Sequence, residues 1–437
     1  MEAFRRQRVG RRRRHRKKQH EIKPVSCAHE SCIMELRKWM KDVAGFSTEL
    51  TPAVFHDTGR GLRTKKSVRS GDCIISLPKC ILITTETAFT TQIGTYLKQW
   101  YPKLQPQACI AVFLVWERHR HKQSHWYPYI TSLPEDFTTP PYFTDKELSY
   151  LPDLVQMKAR DEKKKVVNTF DEIVTFSKQY WTEFYKVLTY KDYRWAWSVV
   201  NTRSVYMEME HCEYLDESEP NNIALAPFLD LLNHSPTANI KAEYNPNTAL
   251  YEITTYDSYK PYDQVFISYG CLGSHKLFLN YGFCIPGNVN DEVELEEHVS
   301  KVIKREKIQH RDKKINLLKQ KGLVSGMTCS NEGLSWKFWI AMETLVMDWD
   351  QLSRILALYL SRQKWSSLMT VDITEETATP AAKNLARGII QEGLFQVRHR
   401  ERYIEQNTSD ADDATHVDLA QMLLTLEKSI LTKCLPK

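Results

Sequence analysis

The chain has 437 residues, 42% of them apolar and 11% aromatic, a composition that supports a folded core. It exceeds the size at which a single core keeps growing, so two domains are expected. The longest apolar run, the nine residues Ala108 to Trp116, is too short for a membrane helix. The formal net charge of +6 is uneven: residues 1–20 hold ten Arg/Lys and one Glu, net +9, which leaves −3 for the rest.

The block Arg11-Arg-Arg-Arg14-His15-Arg16-Lys17-Lys18 therefore belongs to a tail, and like charges at that density keep a segment disordered. We read residues 1–30 as a basic tail whose residues 5–18 contact an importin or nucleic acid, and expect a protein of the nucleus and cytosol. The Arg block lacks the amphipathic periodicity of a mitochondrial presequence. Ten cysteines without a Cys-x-x-Cys pair or a secretory signal read as reduced thiols. Cys271 and Cys284 lie thirteen apart and Cys329 far beyond, a spacing that supports no metal site.

After the tail, Ser31 to Val43 has helical spacing, with Ile33, Leu36, Trp39 and Met40 on one stripe. The turn Thr58-Gly59-Arg60-Gly61-Leu62-Arg63 follows. Cys73–Pro78 and Cys80–Thr84 read as short strands broken by a proline. Pro106 opens an apolar helix to about His119, and Asp161 to Leu188 reads as a long amphipathic helix. Strand texture returns at Ala238–Tyr244, Ala249–Thr255 and Gln264–Tyr269. Beyond about residue 290 the segments 292–321, 334–347, 350–361, 376–405 and 415–433 all read as helices, with Asn407–Thr415 a loop and no strand. Gly59-Arg60-Gly61 begins like a dinucleotide fingerprint, but no third glycine and no helix follow at the required spacing.

Four motifs stand in order: the glycine turn, Asp230-Leu-Leu-Asn233-His234 after an apolar run, Ser268-Tyr269-Gly270 ending a strand, and Asn280-Tyr281-Gly282-Phe283. Each alone is weak, since polar residues after an apolar run are usually a turn or a cap. Their order and spacing resemble the SET-domain protein methyltransferases. Trp126-Tyr-Pro-Tyr129-Ile-Thr-Ser-Leu133-Pro134 resembles the subfamily typified by the plant Rubisco large-subunit methyltransferase. The resemblance covers roughly residues 35 to 405.

It implies an α+β chain: a mostly-β SET fold over 31–289 with a helical insertion at about 95–222, then an all-α, substrate-binding-like domain over 290–437. It implies S-adenosyl-L-methionine as cofactor, no metal, and a lysine-bearing protein substrate, histone or other. A monomer is expected. Tyr269 is implied as the catalytic phenol, with Tyr281 lining the same pocket. Cofactor contacts are implied for Gly61, Arg63, Gln92, Gly94, Arg203, Asp230, Asn233 and His234, besides the two tyrosines. The residue types suit these roles: a guanidinium makes paired contacts to a carboxylate, an amide both donates and accepts, and glycine permits close approach. Asp230 could equally cap a helix. Two alternatives stay open: a histidine acceptor, and a catalytically idle scaffold that binds chromatin or RNA.

Overall fold

The computed structural model describes residues 24–354 and 374–436. The basic block of the tail and positions 355–361 of the segment 350–361 lie outside them.

Helix α1 (Ser31–Ala44) buries Ile33, Leu36 and Met40, spaced three and four apart, and stops at Gly45 in the left-handed conformation. A hairpin follows in which β2 (Leu50–Phe55) pairs antiparallel with β3 (Gly59–Thr64), and β1 (Val25–Ser26) pairs with the outer side of β2. The glycine turn seen in the sequence is therefore the hairpin tip and all of β3 but its last residue. A second sheet runs in the order β4 (Cys73–Pro78), β9 (Leu250–Thr255), β8 (Ile240–Asn245), all antiparallel. Two smaller pairs complete this part: β5 (Ser204–Tyr206) antiparallel to β6 (Ile223–Leu225), and β7 (Asn233–His234) parallel to β10 (Phe266–Ile267).

Helix α2 (Pro106–His119) matches its expected bounds, starting at the proline; Ala108 to Val115 are all buried, as befits a helix apolar on every side. The next long helix starts earlier and ends sooner than its periodicity suggests. Helix α3 (Asp153–Tyr180) begins directly after Pro152, and Trp181, at φ −139° and ψ 69°, breaks it from the short helix Thr182–Val187. Helix α4 (Tyr190–Arg203) then delivers the chain straight into β5. The run Cys80–Thr84 is not a strand: Lys79–Ile81 form one 3-10 turn, and only Ile83 bridges Leu225. Ile81, Leu82 and Ile83 are all buried, and a short apolar run does not distinguish a strand from other core backbone.

Helix α5 (Ser274–Tyr281) leads to the C-terminal part, where the expectation of helices alone needs correction. Strands β11 (Glu292–Glu294), β12 (Thr328–Ser330) and β13 (Gly333–Leu334) form a small antiparallel sheet. At two or three residues each, they are too short to show alternation. The segment 292–321 is thus β11 followed by two helices, α6 (Glu296–Arg305) and α7 (Arg311–Gln320), with His310 at φ 52° between them. Helices α8 (Trp336–Val346), α9 (Pro380–Asn407) and α10 (Ala414–Lys433) follow. The loop between α9 and α10 is pinned: Asp412 accepts from Lys146 Nζ (2.8 Å) and the Tyr150 hydroxyl (3.1 Å).

Buried side chains fall into two clusters. One joins α1, α2, α4 and the strands up to Ile267; the other joins Phe143 to Ala159, Phe278 and the helices beyond 290.

Candidate functional site

Six pieces of chain meet around one cavity of about 240 Å³: the α4–β5 junction, the turn Leu229–Leu232, strands β8 and β9, the end of β10, and the C-terminal end of α5. Val205, Leu229, Leu232, Ile240, Ala242, Ile253 and Ile267 supply aliphatic walls; Arg203, Asp230, Tyr269 and Tyr281 supply polar groups, with the hydroxyl-bearing Thr202, Ser204, Tyr206, Tyr251 and Ser268 beside them.

Strand β7 places the motif residues. Leu232 faces the cavity, while the Asn233 amide donates across to the hairpin carbonyls of Arg60 (3.2 Å) and Thr58 (3.4 Å). A Cβ on Gly61 would fall 2.6 Å from that amide nitrogen and 2.9 Å from Gln264 Nε2, so only glycine allows the approach. The Gln264 amide in turn donates to the Thr58 hydroxyl at 2.8 Å, and Arg63 bridges Gln264 through the backbone.

Tyr269 is held from three sides. Its hydroxyl donates to the Leu232 carbonyl (2.8 Å), and its backbone N–H donates to His234 Nδ1 (3.0 Å). Its ring stacks on His234 at 5.0 Å and tilts against Tyr281 at 4.8 Å. Because the phenolic proton is committed to Leu232, the oxygen's lone pairs are what remain for a guest. Burial raises the Tyr269 pKa above the ordinary phenol value and raises Tyr281 as well, so both phenols stay neutral near pH 7. The bond received at Nδ1 makes that nitrogen the unprotonated one, and burial lowers the His234 pKa, so the ring is neutral.

Asp230 is reached by two partners: the Tyr129 hydroxyl donates to its carboxylate at 3.0 Å, and the Arg203 guanidinium stands 3.7 Å away. Burial raises the carboxyl's pKa, while Arg203 and Tyr129 oppose the shift. Arg203 Nη1 also donates to the Asp230 carbonyl at 2.9 Å, which locks β5 to the turn before β7. Asp230 sits within a 3-10 turn and does not cap a helix. That turn follows Phe228, buried at φ 68° and ψ −40°, a strained conformation for a bulky residue that aims the next five residues toward the hairpin.

The pattern of the SET domain matches residues 59–270. SET domain-containing protein 4 of Mus musculus is 33% identical over 400 residues, covering 89% of this chain and 88% of that protein. The Homo sapiens protein of that name is 33% identical over 84% of this chain and 82% of its own. The chain belongs to the SET-domain family. A more distant relative, the actin-histidine N-methyltransferase of Xenopus tropicalis, is 26% identical over 65% of this chain and 49% of that one. Among solved structures, Rubisco LSMT bound to AdoMet shares the fold, with a TM-score of 0.64 at 18% identity over 92% of this chain and 90% of that one.

Within this SET domain the residues present fit S-adenosylmethionine. Among the described residues, Arg63 Nε, Arg203 Nε and His234 Nε2 are buried without a hydrogen-bond partner: Arg203 lines the cavity, Arg63 stands two residues from Gly61 on β3, and His234 follows Asn233 on β7. Eight of the ten expected site residues thus come together. Gln92 and Gly94 do not. Gln92 is exposed in a shallow hollow beside Trp116, His119 and Tyr127. Gly94 is glycine for packing, since a Cβ there would lie 2.0 Å from the Phe89 carbonyl oxygen. Tyr129 escaped notice as a site residue although it stands in the Trp-x-Pro-Tyr motif, because nothing in that motif says its hydroxyl reaches Asp230. Gln264, Phe228 and the aliphatic walls carried no sequence signal.

Proposed function

We propose that this SET-domain protein, an S-adenosylmethionine-dependent methyltransferase by family, methylates the ε-nitrogen of a lysine in another protein. The observation that carries the reading is the neutral Tyr269 phenol, fixed by Leu232 and His234 at a cavity with a wall of aliphatic side chains from Val205 to Ile267.

Arg63, Arg203, Asn233 and His234 would hold the cofactor, with Gly61 permitting close approach. When bound, it supplies a sulfonium methyl group, so no metal is required. The chain has two tasks: to present a neutral amine and to orient it. A lysine in water has a pKa near 10.4 and is almost wholly protonated at pH 7. Aliphatic walls disfavour the charged form of a buried amine, so entry into the cavity favours the nucleophile. Tyr269, its proton engaged by Leu232, presents lone pairs that orient N–H groups without acting as a strong base. Tyr281 closes the other side, and together the two rings exclude water; positioning supplies most of the acceleration in such a site.

Lysine fits these walls better than histidine. Its stem is aliphatic with one nitrogen at the tip, whereas an imidazole would bring a second ring nitrogen that needs its own partner. The test is incubation with isotopically labelled cofactor and cell-extract proteins, followed by mass spectrometry of the modified residue. Label on lysine Nε supports the proposal, label on histidine selects the imidazole acceptor, and no label at all selects the idle scaffold.

A further inference from the structure

We propose that Glu427, on the last helix, is a positioning residue for Tyr281 and acts through helix α5; this rests on the reading of the pocket given above. Helix α5 touches both halves of the molecule. Its last residue, Tyr281, lines the cavity, while Phe278, one turn back, is fully buried in the second core and meets Phe143 edge-on at 5.4 Å. Eight residues make a rod about 12 Å long, short enough that both ends move together.

Each end is fastened by groups the reaction does not use. At the start, the buried carboxylate of Asp291 accepts from the Ser274 N–H at 2.7 Å. The next residue, His275, packs against Glu427 of α10, with Nε2 and Oε1 3.3 Å apart but off the hydrogen-bond direction. At the far end, Asn201 of α4 donates to the Asn280 carbonyl (2.7 Å) and the Thr138 hydroxyl to the Gly282 carbonyl (2.6 Å). Both Glu427 and its neighbour His298 are nearly buried. A buried carboxylate is costly unless something compensates it, and its removal leaves the facing imidazole without a counterpart. Glu427 stands where the C-terminal helices touch the first turn of α5, so the placement of α10 is transmitted to the pocket.

The test is a double-mutant cycle with tritium-labelled S-adenosylmethionine and a fixed concentration of cell-extract proteins, combining Glu427→Gln with Tyr281→Phe. Glu427→Gln is expected to lower the transfer rate about tenfold, since small misplacements of reacting groups are costly, with cofactor Kd by calorimetry unchanged. In the Tyr281→Phe background the same change is expected to cost less than twofold, because the group being placed is already lost. Hydrogen exchange across 274–282 should quicken in Glu427→Gln while β7 and β10 keep their protection. His275→Gln should reproduce the pattern and serves if Glu427→Gln does not fold. Full tenfold losses in both backgrounds, with wild type active, would overturn the coupling and leave the pocket reading intact. Absence of transfer by wild type would remove both.

Discussion

At the scale of single residues, the chemistry turns on how one phenol is constrained. Tyr269 is half-buried between two rings and donates its proton to a backbone carbonyl; desolvation raises its pKa. It is therefore not a phenolate base. The pH dependence follows with a definite sign. A raised pKa keeps the phenol neutral to higher pH, so no falling limb from Tyr269 is expected below about pH 10. The rate should instead climb with pH as the acceptor amine loses its proton. A pH profile of transfer between 6.5 and 9.5 checks this, and a maximum near neutrality followed by decline would contradict it. That Tyr269 and Tyr281 would lie together was legible from the order of the motifs in the chain. The hydrogen bond from Tyr269 to Leu232 was not, since those two are brought together only by the parallel pairing of β7 and β10.

At the scale of elements, α5 and its terminal glycine carry a second prediction. Gly282 ends the helix at φ +80°, and a Cβ there would meet Thr138 backbone and side-chain atoms at 2.6 to 2.9 Å. Gly282→Ala should therefore destabilise the fold by about 2–5 kcal/mol, combining left-handed strain with overpacking. Urea unfolding of the purified variant measures it; a loss under 1 kcal/mol would show that the Thr138 contact yields easily. Helices with strong periodicity or a proline start, α1 and α2, were legible almost to the residue. The strands after 290 were not, because a two- or three-residue strand owes its existence to its partners and not to its own pattern. The start of α3 was not legible because only Val155 and Ala159 of its first two turns are buried, too few apolar positions to mark a periodic stripe.

For the whole molecule, the cofactor should bind the folded state alone, because the residues proposed to hold it are as distant in sequence as Arg63 and Arg203. Stability should then rise by RT ln(1 + [L]/Kd), about 2.7 kcal/mol at a hundredfold excess over Kd. A thermal melt with and without S-adenosylmethionine checks this, and superimposable curves at millimolar cofactor would contradict it. That the described residues bury side chains in more than one cluster was foreseeable from length. The sharing of segments between the cores was not: Phe143 to Ala159 and Phe278 precede that point in sequence yet pack with the helices that follow it.

The central claim, that Tyr269 acts on the transferred methyl group's acceptor and not on cofactor retention, is tested most directly by Tyr269→Phe. Cofactor affinity and methyl transfer should be measured on the same preparation. Affinity within about threefold of wild type and transfer lower by about a hundredfold or more is the expected result, as when a contact made in the transition state is lost. Transfer at the wild-type rate would contradict the account.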